Sequence, residues 1–350
     1  MPKKIAIIGA GLSGLAAAFR LAESDSQICL FEKSKGISGR AASRTKNGCR
    51  FDHGANYFKI ESDEVARLLF QSLPTEGLCR IMGDIDTFDE SGTIAPGDPG
   101  QNAAAKWTYR DGISTLGKLM VERAGLKVTG ETLICRMERS NAKWHLKTES
   151  GAIFGDFDAV LVTLPAPQTI GLLEASDFDP RVRQELVGEL KEAEYHCQFT
   201  VVLNFPGELS LPGEAYALIN TDRRYDIAWL SHENRKPGRV PEGESLFIVQ
   251  MSPAWSLRNY ERPRDEIMAA ALAKVVPLLG ADLPKLNWSD SQRWRYAHPI
   301  RASASETMRQ ASPLGLFFAG DTFVGKGRVS GAIETGFVAA RDIVESFGKG

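Results

Sequence analysis

The chain has 350 residues, of which 43% are hydrophobic and 25% charged, and its formal net charge is −2. That length exceeds one typical core, so two domains or one domain with a large insertion are expected, and the near-neutral balance excludes a basic footprint for nucleic acid. No apolar run of roughly eighteen residues is present to cross a membrane; the five cysteines (Cys29, Cys49, Cys79, Cys135, Cys197) are scattered and form no CxxC pair, which argues against a disulfide framework or structural zinc and suits a reducing cytoplasm.

The first predicted element is a buried strand at 5–8 that breaks at Gly9 and passes at once into an Ala-rich helical stretch ending near Leu21. The turn carries Gly9, Gly11 and Gly14, and each glycine has a physical task. Gly9 turns the chain, Gly11 lets the backbone approach a pyrophosphate, and Gly14 lets helix and strand pack closely. A phosphate would rest on the helix N-terminus at Leu12 and Ser13, where free N–H groups and the dipole favour an anion. A second apolar strand at 28–31 ends at Glu32, placed about twenty residues on to take the ribose hydroxyls of an adenosine. A lone GxGxxG is a weak signal, but strand, turn, helix, strand and terminal acid in this order predict a dinucleotide site. Met1-Pro2-Lys3-Lys4 before an apolar run imitates a signal peptide, yet the glycines break any such helix and no small-x-small cleavage site precedes Glu23.

After Glu32 comes a flexible cationic loop, Lys33 to Arg40. One helix terminus cannot neutralise a pyrophosphate of about two negative charges, so Arg40 is a candidate second clamp, with a solvated loop arginine as the alternative. Phe51 to Phe58 sets aromatics around a Gly54-Ala55 step, which either lets a flat ring lie against backbone or is ordinary core. Helical spacing appears at 64–73 (Val65, Leu68, Leu69) and 113–125 (Ile113, Leu116, Met120). Strand signals at 199–205, 216–220, 227–231 and 245–251, separated by turn-rich stretches, favour an antiparallel sheet. A helix at 267–279 and a strand at 292–296 follow, and the chain returns to the first domain at Leu316. The expected fold class is α/β, a Rossmann-like parallel sheet with helices plus a mostly antiparallel substrate domain.

Four other signals fail on inspection. Gly320, Gly325 and Lys326 nearly spell a phosphate loop, but Gly327 stands where Ser or Thr must hold magnesium. His53, His145, His196, His232 and His298 show no paired spacing, so no metal is expected, and no GxSxG elbow is present. Asn287-Trp288-Ser289 is a glycosylation sequon by pattern only.

Glu32 with the loop to Gly39-Arg40, then Asp52-x-Gly54-Ala55-x-Tyr57-Phe58, resembles the flavin-containing amine oxidase superfamily, most of all its renalase-type branch. The closing Phe317-Phe318-Ala319-Gly320-Asp321 and Gly327-Arg328-Val329-Ser330-Gly331-Ala332 agree, as do, more loosely, stretches 107–114, 162–168 and 293–299. The resemblance implies non-covalent FAD. Gly9, Gly11, Leu12, Ser13 and Gly14 would meet its pyrophosphate, Glu32 and Lys33 its adenosine ribose, and Arg40 its phosphates. Ile134, on a strand at 132–134, would present backbone to the adenine, and Gly54, Ala55, Asn56 and Tyr57 would approach the flavin. Gly320 and Asp321 would bind the ribityl chain, while Arg328 and the helix opening at Gly331-Ala332 would face the flavin pyrimidine. Ser38 stands where a glycine is usual and Ser330 where a glutamate is common. No cysteine lies near this last motif to form a flavin bond.

The same resemblance divides the chain into an FAD-binding domain of 1–75, 120–170 and 300–350 and a substrate domain of 76–119 and 171–299. The implied chemistry removes hydride from a C–H activated by nitrogen, and Tyr57, Trp255, Trp294 and Tyr296 are candidates for the flat substrate slot, each also able to be plain core. The substrate would be a small molecule and the second partner molecular oxygen. The leading expectation is renalase-like oxidation of unusual dihydro-NAD(P) isomers with release of hydrogen peroxide. An amine or polyamine oxidase and a flavin scaffold without turnover are the alternatives; no acidic cluster in the middle of the chain awaits an ammonium.

Overall fold

The computed structural model describes residues 2–348. Five parallel strands form the first sheet, in the order Leu316–Phe318, Ala159–Val162, Lys3–Ile8, Ser26–Phe31 and Val128–Thr129. These strands are apolar because both faces of the sheet are covered. Alternate residues sort by face. Ile5, Ile7, Ala159 and Leu161 pack with the helices Leu12–Leu21, Thr115–Arg123 and Val329–Gly348. Ala6, Ile8, Val160 and Val162 pack with a three-stranded antiparallel sheet (Ile134–Ser140, Lys143–Thr148, Ile153–Phe157) and the helices Ala166–Glu174 and Pro180–Leu190. The two ends of the chain meet here: a Cβ on Gly336 would lie 2.2 Å from the Ser13 carbonyl oxygen, and the Ser13 and Thr335 hydroxyls are 3.1 Å apart.

The second sheet has seven strands in the order Trp288–Arg301, Glu194–Pro206, Glu244–Met251, Ile227–His232, Ala217–Asn220, Ile85–Phe88 and Ile94–Ala95. All neighbours are antiparallel except Ala217–Asn220 with Ile85–Phe88. Period-two alternation turns Phe199, Val201, Leu218, Leu230 and Val249 toward the helices Pro253–Arg258 and Arg264–Leu279. Gln198, Ile219, Trp229 and Gln250 are left to face the first sheet across a cavity.

Several elements differ from the expectations. The strand expected at 292–296 runs over the whole of Trp288–Arg301, because it pairs along its length with Glu194–Pro206. The strand expected at 132–134 begins only at Ile134. A hairpin, Ser43–Lys46 with Cys49–Asp52, was not expected; its turn residues Asn47 and Gly48 both have positive φ. The expected domain boundaries near 119 and 170 fall inside Thr115–Arg123 and Ala166–Glu174, whose Leu116, Met120, Leu172 and Leu173 are buried against the parallel sheet.

Candidate active site

A continuous cavity of about 1660 Å³ lies between the two sheets. It is larger than the roughly 300–1,000 Å³ of an ordinary small-molecule pocket. One end sits over the carboxyl ends of the parallel strands, where Lys3–Ile8 separates Ser26–Phe31 from Ala159–Val162 and the strand order reverses. Gly9 turns there with φ +107°, and Thr163 Oγ1 would lie 2.6 Å from any Cβ. Gly11 opens onto the cavity with nothing within 4 Å of a Cβ position, so a side chain there would occupy ligand space. Gly14 lies behind the lining, where a Cβ would meet the Gly9 carbonyl oxygen at 2.1 Å. Helix Leu12–Leu21 has no side-chain cap and no acidic residue in its first turn, and its first bond runs from Leu15 N–H to Gly11 O. The N–H groups of Leu12, Ser13 and Gly14 therefore lack an intrahelical acceptor, which makes an anion site.

Glu32 stands at the rim beside Lys33. Its carboxylate accepts from Ala10 N–H and Ser34 N–H, each at 2.9 Å, and has lone pairs left for further donors. Ile134 lines the same wall. Ser38 adopts φ +79° and donates its hydroxyl to the Ser114 carbonyl at 3.0 Å, so a serine tolerates the left-handed backbone of a position where the resemblance expects glycine. Arg40 lines the cavity with its guanidinium engaged: Nη2 donates to Asp321 Oδ1 at 2.6 Å, and Nη1 to the carbonyls of Tyr296 at 3.3 Å and Ala297 at 3.2 Å. Gly320, φ +140°, opens onto the cavity beside Asp321.

The start of helix Val329–Gly348 differs in detail from its expected role. Ala332 lines the cavity, but its N–H donates to the Arg328 carbonyl at 3.1 Å, and Gly331 is not on the lining. The groups preceding the first intrahelical bond are the N–H groups of Val329, Ser330 and Gly331. Ser330 spends its hydroxyl on the Lys59 carbonyl at 2.5 Å and so fastens this helix to the chain just after Tyr57-Phe58.

At the other end the wall is Gly54, Ala55, Asn56 and Tyr57, held from above by the second sheet. Gln250 Nε2 donates to Gly54 O at 2.9 Å, Trp294 Nε1 to His53 O at 3.0 Å, and Tyr216 OH to Asn56 O at 3.4 Å. Trp294 and Tyr296 line the cavity. Trp255 does not. The Ser252 hydroxyl caps helix Pro253–Arg258 by accepting the Trp255 N–H, and the indole turns into the helix-covered core, 6.1 Å from the Phe199 ring. Besides Trp294, the tryptophan that faces the cavity is Trp229, its ring 5.9 Å from Tyr57 and tilted by 31°. Burial raises the Tyr57 phenol above its usual range, opposed in part by Arg328. His298 lines the cavity with its side chain exposed to it; the neighbouring protein and the Arg40 charge lower its ring below the usual histidine value. The charged side chains on the whole lining are Lys33, Arg40, Lys59, Arg223, Arg295, Lys326 and Arg328 against Glu32, Glu61, Asp98 and Asp321.

Behind the wall lies a fully buried set of charges. Asp52 meets Lys236 Nζ at 3.0 Å and Arg239 Nη2 at 2.9 Å, and Glu233 meets Lys236 Nζ at 2.6 Å and Arg239 Nη1 at 3.6 Å. Burial alone would raise the Asp52 carboxyl, but Lys236 and Arg239 together hold it well below the usual carboxylate range. For Glu233 burial prevails and its pKa is raised. Asp52 also accepts from Ser43 Oγ at 2.6 Å and Ile113 N–H at 2.9 Å.

An NAD(P)-binding Rossmann-like domain model matches residues 7–73, and a model of flavin containing amine oxidoreductases matches 89–344, most of the chain. The chain belongs to the flavin containing amine oxidoreductase family. As a flavin containing amine oxidoreductase it is an oxidoreductase whose cofactor is FAD. The residues present fit that group: an open cradle at Gly11, an uncapped helix start at Leu12 and a lining carboxylate at Glu32 pinned by the Ala10 and Ser34 N–H groups. Protoporphyrinogen oxidase 2, chloroplastic/mitochondrial, of Arabidopsis thaliana is 39% identical over 67 residues, only 19% of this chain and 13% of that protein. The fold is shared along nearly the whole chain with a candidate protoporphyrinogen oxidase from Exiguobacterium sp. 255-15 (TM-score 0.79, 16% identity, 98% of this chain and 99% of that one). It is likewise shared with cyclohexylamine oxidase from Brevibacterium oxydans IH-35A (TM-score 0.77, 14% identity, 99% and 100%). Such likeness concerns architecture and leaves the reaction to the site. Among the described residues no group of three or more His, Cys, Asp or Glu is placed to hold a metal, and no helix is long and apolar enough to cross a membrane.

Proposed function

We propose that this oxidoreductase acts on anionic dihydropyridines, the unusual dihydro-NAD(P) isomers that renalase-type proteins oxidise, with molecular oxygen as acceptor and hydrogen peroxide as product. The observation that carries this reading is the sign of the charge along the cavity, where Lys33, Arg40, Lys59, Arg223, Arg295, Lys326 and Arg328 outnumber Glu32, Glu61, Asp98 and Asp321. Such a lining attracts a phosphorylated dinucleotide and repels a polyamine. The ring nitrogen makes the neighbouring C–H hydridic, and loss of hydride yields an aromatic pyridinium, so no side chain has to remove a proton. Tyr57 with its raised phenol and His298 with its lowered ring both stay neutral near pH 7, as such a reaction permits. Bound FAD would supply the two-electron acceptor for that hydride and the route by which the pair reaches oxygen. Tyr57, Trp229, Trp294 and Tyr296 hold the substrate ring flat and keep water away from it. The parallel-sheet body holds FAD non-covalently and the seven-stranded sheet roofs the substrate. The free cysteines support a cytoplasmic setting.

The test is anaerobic mixing of the yellow holoprotein with borohydride-treated NAD(P), which contains the unusual isomers. Rapid bleaching of the flavin is expected. Bleaching by putrescine or spermidine instead would assign the amine oxidase reaction, and bleaching by neither would leave a flavin-binding scaffold.

A further inference from the structure

Arg40 does more than the sequence suggests. Its loop position marks it as a phosphate clamp, yet three of the five guanidinium N–H donors are spent within the protein, on the carbonyls of Tyr296 and Ala297 and on Asp321. Its own carbonyl oxygen accepts the Ala55 N–H at 2.9 Å and would lie 2.0 Å from a Cβ on Gly54. One residue therefore touches the Gly54–Ala55 wall, the strand that carries Trp294 and Tyr296, and the turn at Asp321. Two donors, Nε–H and one Nη2 hydrogen, stay unspent on a residue that lines a cavity large enough for a dinucleotide.

We propose that Arg40 is a positioning residue through which FAD occupancy fixes the substrate wall at Trp294–Ala297. The coupling follows from one rigid planar group bonded on both sides. A phosphate taking the two free donors immobilises the guanidinium, and the bonds to Tyr296 and Ala297 then form without further loss of side-chain freedom. Lysine carries the same charge but not the fork, so it can attract a phosphate and cannot also span the two carbonyls and Asp321. The inference rests on the cofactor and is independent of which substrate is oxidised.

Amide hydrogen exchange on wild type and Arg40→Lys, each with and without FAD, tests it, with FAD affinity and melting temperature measured in parallel. In wild type, FAD should slow exchange of the 294–298 amides by about tenfold or more, the scale of one charge-assisted hydrogen bond. Arg40→Lys should keep its FAD dissociation constant within about tenfold of wild type and lose most of that slowing, while the amides of Lys3–Ile8 still slow in both proteins. The visible flavin absorption envelope should shift in Arg40→Lys as the Trp294 and Tyr296 rings loosen. Equal slowing at 294–298 in the two proteins, or none in wild type, overturns the proposal and leaves Arg40 a phosphate clamp alone. If Arg40→Lys fails to take FAD, the wild-type comparison decides alone: FAD binding that leaves exchange at 294–298 unslowed while Lys3–Ile8 slows is equally fatal.

Discussion

Replacing Lys236 by Met would remove one cation from a buried set in which two carboxylates face two cations. The ammonium lies 2.6 Å from Glu233 and 3.0 Å from Asp52, and neither it nor its partners are solvent-exposed. Arg239 would remain 2.9 Å from Asp52 but 3.6 Å from Glu233, so Glu233 loses its closer partner. Breaking a buried pair from one side costs about 3–5 kcal/mol, because an uncompensated charge is left behind. The protein has one escape, which is to protonate Glu233, whose pKa burial already raises against the pull of Lys236. Losing Lys236 raises it further. Between the unfolded carboxyl value of about 4.3 and the raised folded value, the folded state binds more protons than the unfolded one, so stability grows as pH falls by up to about 1.4 kcal/mol per unit. That window reaches higher in Lys236→Met than in wild type. Asp52 keeps Arg239, and the stability from its lowered pKa is lost only at more acidic pH. Urea denaturation of both holoproteins between about pH 5 and 8 should therefore show a deficit that is widest at pH 8 and narrows toward pH 5. A deficit under about 1 kcal/mol at neutral pH, or one that does not change with pH, would refute this account of the cluster.

Two further outcomes can be checked directly. Glu32→Ala should weaken FAD binding by about 10- to 100-fold in titration calorimetry, with the fold intact by circular dichroism, if the carboxylate pinned by Ala10 and Ser34 takes the ribose hydroxyls on its remaining lone pairs. Trp255→Phe and Trp229→Phe should separate cleanly: the first lowers the urea midpoint through lost core packing while the rate of flavin bleaching stays within about twofold, and the second changes that rate several-fold.

The cofactor end was legible because its constraints are local. A turn that needs positive φ, an uncapped helix start and an acid at a strand end are all set by neighbours in sequence, and Gly9, Leu12 and Glu32 lie where those constraints put them. The substrate end is a product of long-range register. Trp255 and Trp229 are equally aromatic, and only the cap at Ser252 and the two faces of the seven-stranded sheet decide that one is core and the other wall. The alternation of Trp229 with the buried Leu230 was a usable sign. Asn47-Gly48 and Asn141-Ala142, both with positive φ, mark hairpins that turn chemistry alone could have revealed. The fate of Arg40 could not be read, since Tyr296, Ala297 and Asp321 are more than 250 positions away.

The meeting of Ser13 with Thr335 and Gly336, and of Arg40 with Asp321, also sets an order of events in biosynthesis. Translation delivers the phosphate loop first, yet the face of its helix at Ser13 stays uncovered and the Ala159–Val162 strand has an open edge until Leu316–Phe318 and Val329–Gly348 emerge. Cofactor loading must wait for that emergence. A nascent chain stalled before residue 316 would be colourless and would present a bare apolar strand to chaperones.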